Sequence, residues 1–392
     1  MRSVAEGRLP NTSNAFSEHI DRCLGCRACE QVCPAGVEYG ILLEASREEL
    51  LNAQPKNDLQ NRLLRIVLKH IWLSKTRLNL FFAATRLFRN LRLPQLLLKT
   101  GVARLISRRA EFALTLLDRS RSNRVETETP KFNDGAPVEV VSLFTGCVGE
   151  GLFSRVNRAT RRVLQANSIA VDIPEHQVCC GALHAHAGDL DGARQLARIN
   201  IKAFGPDGPV VTNAGGCGAM LVSYAHLLAH DEEYCDAAKD FSERVRDVSQ
   251  ELELRQIRMG DQPTGERVTY DTSCHLLYGQ HAGEASLKMV QDLPGVNFVT
   301  LEGAERCCGG AGIYNLLQPE MSARVLNEKL SRIKDTGAEV LATGNPGCQM
   351  QIAAGACLAG MRLKVCHPIE LLDESYARAG FYDQDHVSTD TR

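Results

Sequence analysis

Twelve of the fifteen cysteines in this 392-residue chain fall into tightly spaced or recurring patterns. Cys23, Cys26, Cys29 and Cys33 form the run CLGCRACEQVCP, with C-x2-C-x2-C-x3-C-P spacing. Two-residue gaps let a short loop wrap a compact inorganic core, with thiolates on separate metal atoms and backbone amides facing bridging sulfur. Thiolates suit soft iron and must lose their protons to bind it. The spacing is that of a bacterial [4Fe–4S] loop. Tetrahedral zinc sites instead use two C-x2-C knuckles parted by a longer loop. In two-cluster proteins the fourth cysteine of such a run ligates the other cluster. A single run is present here. Either Cys33 closes the same cluster as Cys23, Cys26 and Cys29, or a partner motif belongs upstream.

The other eight cysteines make two quartets: Cys147, Cys179, Cys180 and Cys217, then Cys274, Cys307, Cys308 and Cys348. Offsets between equivalent members are 127 (147 to 274), 128 (179 to 307) and 131 (217 to 348). Three near-constant offsets identify an internal duplication. Adjacent cysteines form a disulfide with each other poorly, but two thiols held in one loop can both reach a polynuclear cluster. The glycine after each pair allows close backbone approach. A redox-active dithiol is the other chemistry open to these pairs.

The elements that must position these thiols are legible from the flanking residues. Each unit opens with an apolar strand-like run (VEVVSLFTGC, RVTYDTSC), continues through helix-period stretches, and closes on a second run (GPVVTNAGGC, AEVLATGNPGC). Short buried strands alternating with helices predict α/β units with largely parallel sheets. Ligands of such sheets sit at the carboxyl ends of strands. Cys147, Cys217, Cys274 and Cys348 stand there. The expected layout is a ferredoxin-like [4Fe–4S] segment over 1–55, a basic helical segment over 56–118 and a linker over 119–137. Two duplicated cysteine-rich α/β domains follow, at 138–235 and 267–375, joined by a charged helical connector.

Composition narrows the compartment. The first twenty residues hold no signal-peptide core. The longest uncharged apolar stretch, 78–85, falls well short of the roughly 20 residues a membrane span needs. Disulfides are disfavoured in the cytosol, and clustered cysteines there point to metal. The expectation is a cytoplasmic chain. A formal net charge of −2 argues neither for nor against nucleic acid as a partner. The block 56–124 is different, with sixteen Lys and Arg against Asp58, Glu111 and Asp118. Its apolar residues, such as Leu64, Val67, Ile71, Leu78 and Phe82, recur at helical spacing. It can lie on an anionic membrane surface, or form a helical collar on the cysteine-rich domains. No nucleic-acid-binding fold accompanies the charge, and nucleic acid is not expected as a partner. Cys235, Cys357 and Cys366 fall outside the patterns and read as ordinary buried thiols. His184, His186 and His275 adjoin the cysteine motifs, as ligands or proton donors near a cluster or as capping or core histidines, and His367, in CHP, reads as a turn residue.

The two CCG repeats resemble the cysteine-rich domains of the heterodisulfide reductase and lactate/glycolate oxidase superfamily. HIDRCLGCRACEQVCPAGVEYG, CCGALHAHAGDLDGA, GNPGCQMQI and CHPIELLDESYA look most like the iron–sulfur subunit of glycolate oxidase. The resemblance covers nearly the whole chain. It implies a non-catalytic electron carrier, with metal ligands at the twelve patterned cysteines and no catalytic residues of its own. It also implies FAD-binding partner subunits that oxidise a 2-hydroxy acid, and a quinone or other membrane acceptor. The chain has no G-x-G-x-x-G fingerprint after a strand, so flavin is expected on the partner. Two departures stand out. Relatives carry two ferredoxin-type motifs, and this chain starts near the segment between them. Heterodisulfide reductases end each repeat in C-x-x-C, where this chain has Met220 and Gln351. That argues against one alternative, a disulfide or heterodisulfide reductase, and leaves the other, a lactate-utilisation iron–sulfur protein.

Overall fold

The computed structural model describes residues 1–53, 59–121, 139–255, 260 and 265–382. Of the expected linker, 122–137 lies outside the described residues. Among the described residues, eight short strands, mostly of valine and other strand-favouring residues, build two sheets. The first contains β1 (Glu139–Phe144), β2 (Ile169–Asp172), β3 (Val210–Thr212) and β4 (Val245–Asp247). The second contains β5 (Arg267–Asp271), β6 (Asn297–Phe298), β7 (Val340–Thr343) and β8 (Lys364–Cys366). Their orders, β2-β1-β3-β4 and β6-β5-β7-β8, are the same, and every pairing is parallel. The α/β class and the duplication expected from the cysteine offsets are both present.

β3 and β7 are buried along their whole length, as strands covered by helices on both faces must be. β4 lies inside the stretch that sequence alone treats as a charged connector. Its three residues, Val245, Arg246 and Asp247, are too few to show a strand period. Asp247 at its end caps the next helix, Val248–Glu253, in a capping box with Gln250.

One apolar cluster runs through both units, joining Val141, Leu143, Phe153 and Val156 to Val268, Tyr270, Ile369 and Leu372. At its edge the Cys147–Ala166 helix meets the Pro368–Arg378 helix through a two-pronged ion pair. Arg162 Nε and Nη2 donate to Asp373 Oδ1 and Oδ2 at 2.9 and 2.6 Å, and Tyr382 donates to Oδ1 at 2.8 Å. Arg155 adds a contact to Glu370 at 2.9 Å.

The basic block folds as helices Leu59–Val67, Lys75–Asn90, Leu93–Lys99, Val102–Ile106 and Arg108–Arg119. Leu78 and Phe82 enter the shared core and Phe112 packs on the core of the second unit, so the block is a collar on both cysteine-rich units. Arg89 reinforces it, donating to the Leu152 carbonyl at 3.1 Å. The N-terminal segment has a small core of its own, where Phe16 and Ile20 pack on Leu43 and Leu50.

Replacing Asp373 with Ala strands the Arg162 charge in a buried interface, and breaking such a pair typically removes about 3–5 kcal/mol. Chemical denaturation of D373A is expected to show that loss. An unchanged midpoint would mean that the two units are not locked together here.

Candidate metal centres

The strand ends deliver the thiols. In the first unit β1 stops at Phe144, and Cys147 opens the following helix after Gly146. β3 stops at Thr212, and Cys217 lies in the Gly215–Val222 helix. The third contribution is the Cys179–Cys180 loop. Gly181, in the left-handed region at φ 92°, turns it into the Ala182–His186 helix. The second unit repeats the arrangement, with Cys274 after β5, Cys348 in the helix after β7, and Gly309 at φ 82° after its cysteine pair.

Each quartet converges. Cys147 Sγ lies 3.4 Å from Cys179 Sγ, and thiol contacts continue to Cys180 and from there to Cys217. In the second unit Cys308 Sγ lies 3.3 Å from Cys348 Sγ, with contacts running back through Cys307 to Cys274. These spacings exceed the roughly 2 Å of a disulfide bond, and all fifteen cysteines are unbridged. Contact with Cys179, and then burial, pushes the Cys147 thiol well up; Cys308 and burial do the same to Cys348. Packed this way, the thiols cannot ionise together unless a cationic core replaces their protons. Among the described residues, no three His, Cys, Asp or Glu side chains frame a position for a single metal ion. The sulfurs instead run in a chain from one to the next, and four soft donors per site fit a polynuclear iron–sulfur core.

The N-terminal loop docks against the second unit. Cys26 packs on the cluster formed by Cys274, Tyr278 and Cys307, and burial raises its thiol. Tyr314 donates to the Arg22 carbonyl at 2.9 Å. His275 Nε2 donates to the Gly25 carbonyl at 3.0 Å. Arg47 ties this loop to the first unit as well, donating to the Cys23 carbonyl at 2.8 Å and to the His186 carbonyl of the first unit at 3.1 Å. Cys29 is exposed. The amides of Val37, Ala35 and Gly36 gather on the Cys33 thiol and lower its pKa.

The histidines beside the cysteine motifs are engaged in holding the fold. His184 Nδ1 pairs with Asp189 at 2.7 Å. His186 packs beside His275 with the rings tilted and their centroids 5.3 Å apart, and Glu44 lies 3.5 Å from His186. Desolvation, and then His186, pulls His275 down to about 4. His367 accepts from the Ile369 amide and caps the Pro368–Arg378 helix. Gln351, at the position of the fifth thiolate, ties the second cysteine turn instead, donating to Ser322 at 3.0 Å and accepting from Asn315 at 2.9 Å. Of the three cysteines outside the patterns, Cys366 is buried in the core as expected, whereas Cys235 and Cys357 are only partly buried, Cys357 accepting from Arg119 at 2.7 Å.

Trp72 is a neighbour that motif reading did not reveal. The only tryptophan in the chain, it comes from the basic block, and its indole N–H faces Cys147. It lines a cavity of about 340 Å³ together with Cys147 and Cys179.

Comparison with known proteins matches residues 141–222 and 268–353 separately to a cysteine-rich domain family, the two intervals that run from the first strand of each unit past its last cysteine. The probable glycolate oxidase iron–sulfur subunit of Bacillus subtilis is 34% identical over 385 residues, covering 96% of this chain and 86% of its relative. The chain belongs to the glycolate oxidase iron–sulfur subunit family. Its Escherichia coli member, the glycolate oxidase iron–sulfur subunit, is 27% identical over 388 residues, again 96% of this chain and 86% of the relative. Lactate utilization protein A of Oceanobacillus iheyensis is 34% identical over 235 residues, covering 59% of this chain and 96% of that protein. The glycolate oxidase subunits therefore align along the length of this chain, and the lactate-utilization protein over part of it.

The glycines of the two cysteine turns give an asymmetric test within this family architecture. A Cβ on Gly309 would meet the Ser322 carbonyl oxygen at 2.7 Å, whereas one on Gly181 would approach Ala193 Cα at 3.3 Å. Both substitutions carry the left-handed penalty of about 1–2 kcal/mol. Thermal denaturation is expected to rank G309A below G181A, with both below the parent. A reversed order would show that the second turn yields more easily than its packing implies.

Proposed function

We propose that this chain is the electron-carrying subunit of a 2-hydroxy-acid oxidase of glycolate type, with iron–sulfur clusters at both quartets and a [4Fe–4S] cluster at the N-terminal loop. The observation that carries the reading is the convergence of eight thiols into two equivalent quartets at the carboxyl ends of parallel strands. Cys147, Cys179, Cys180 and Cys217 would hold one cluster, and Cys274, Cys307, Cys308 and Cys348 another. Cys23, Cys26 and Cys29, with Cys33, would grip the third. Such clusters supply one-electron transfer without hydride chemistry. The protein's share is to hold the thiols in place, exclude water with the apolar residues around each pair, and fix the N-terminal loop against Cys274. An FAD-binding partner subunit would oxidise the substrate, and a quinone or other membrane acceptor would receive the electrons. On this reading the acid–base chemistry of that oxidation belongs to the partner.

Changing Cys179 and Cys180 together to Ser is expected to lower iron per chain while the second quartet keeps its share. The measurement is iron per polypeptide with EPR after anaerobic purification. Iron equal to the parent's would remove the first quartet from the proposal.

The outer face of the collar supports a peripheral membrane contact. No helix among the described residues is long and apolar enough to cross a membrane. Yet Leu80, Phe81, Leu87, Leu91, Leu105 and Ile106 are exposed, some of them more than half. Arg92, Lys99 and Arg104 lie exposed among them. Apolar side chains flanked by cations suit an anionic headgroup layer. Arg86 and Arg89 are not part of this surface, because they donate to the Gly151 and Leu152 carbonyls of the first unit. Salt screens exposed charges beyond a Debye length of about 8 Å. Co-sedimentation with vesicles of anionic phospholipid is expected to fall at high salt, and after Arg92, Lys99 and Arg104 become Gln. Binding that ignores both treatments would leave the block as a collar alone.

A further inference from the structure

The two quartets are equivalent in position but not in surroundings. Three residues before the first cysteine of each unit stand Phe144 and Asp271. Twenty-one residues after each cysteine pair stand Ile201 and Lys329. In the first unit both positions are apolar and share one buried cluster with Cys179 and Cys180. In the second they form an ion pair, Lys329 Nζ to Asp271 Oδ1 at 2.6 Å, each side chain only 1% exposed. The ammonium also donates to the Gly303 and Ala304 carbonyls, both at 3.0 Å, and Thr343 donates to Asp271 Oδ2 at 2.9 Å. A third difference points the same way. Asn345 Nδ2 donates to Cys348 Sγ at 3.4 Å, and the matching position in the first unit is Ala214.

The fold does not require these charges. A buried ion pair is often no more stabilising than well-packed apolar residues, and the first unit uses apolar residues at both positions. Lys329 lies on the Pro319–Thr336 helix, whose Leu326 and Leu330 share a buried cluster with Cys308 and Cys348, and both Lys329 and Asp271 act electrostatically on those two thiols. The pair therefore sits against the thiols of one quartet, where little water screens it.

We propose that Lys329 and Asp271, with Asn345, tune the second centre so that the two duplicated sites differ in reduction potential. This rests on the reading that the quartets hold iron–sulfur clusters. Reduction adds one negative charge to a centre, and net charge and hydrogen bonds to sulfur are among the quantities that set cluster potentials. The two partners act with opposite signs. Removing the ammonium makes the second centre harder to reduce, and removing the carboxylate makes it easier.

The test is EPR-monitored redox titration of the purified full chain, in which the second-centre signal is the one lost when Cys307 and Cys308 are both changed to Ser. Asp271→Asn is expected to shift that signal's reduction equilibrium about tenfold toward the reduced form, equivalent to about 59 mV for one electron. Lys329→Met is expected to shift it by a similar factor the other way, and Lys329→Arg to stay near the parent. The first-centre signal should not move in any of them. If Lys329→Met fails to fold, Asp271→Asn decides, since it keeps the shape and the lysine. A D271N shift that is absent, reversed or shared equally by both centres overturns the inference while leaving the clusters in place. A parent protein with no cluster signal would sink the iron–sulfur reading, and this inference with it.

Discussion

Four thiols can sit side by side in a protein interior only if the backbone brings separate segments to one point and keeps them there without help from charge. Everything else in this structure follows from meeting that condition twice. Neutral thiols attract one another weakly, and as thiolates they repel, so the quartet cannot organise itself. The parallel sheet organises it. Adjacent strands β1 and β3 end side by side, as do β5 and β7, and each end launches a helix that begins with, or soon reaches, a cysteine. The remaining two thiols arrive together on a loop whose left-handed glycine points both of them inward.

The condition explains why the core is shared. A centre at strand ends lies near the rim of its sheet, where a lone unit of this size would leave it open to water. Packing the units together closes that rim. The Gly215 amide donates to the Gly344 carbonyl at 2.9 Å, joining the two cysteine-bearing loops directly. A Cβ on Gly215 would meet Leu276 at 2.8 Å, so the approach depends on the missing side chain. The N-terminal loop then covers the seam between the units, with Arg47 reaching both Cys23 and His186.

Much of this was legible in the sequence because cysteine spacing and strand punctuation are local signals. The offsets of 127, 128 and 131 residues fixed the duplication, and the apolar runs ending in cysteine gave the strand ends. What stayed hidden depends on contacts between distant residues. β4 is three residues long and carries a charge, so no period marks it. Trp72 reaches Cys147 from 75 residues away through the packing of the collar. Basic composition could not separate Arg86 and Arg89, which bind carbonyls of the first unit, from Arg92, which faces outward. His367 could be read as a turn-former because its neighbours Pro368 and Glu370 form a local cap.

Duplication usually begins with two equal halves, and the places where the halves differ show which constraints are general and which are particular. The strand order, the adjacent cysteines, the glycine after them and the threonine ending β3 and β7 are common to both units, and all serve to assemble a quartet. Phe144 and Ile201 against Asp271 and Lys329 serve no such purpose, since either pair fills the space beneath the thiols. Two identical centres in series would give an electron no preference between them. Two centres in the same fold, one with apolar Phe144 and Ile201 and the other with a buried ion pair at the matching positions, are inequivalent without any change in the ligand set. The surroundings of the thiols, rather than the thiols themselves, are where this chain distinguishes its halves.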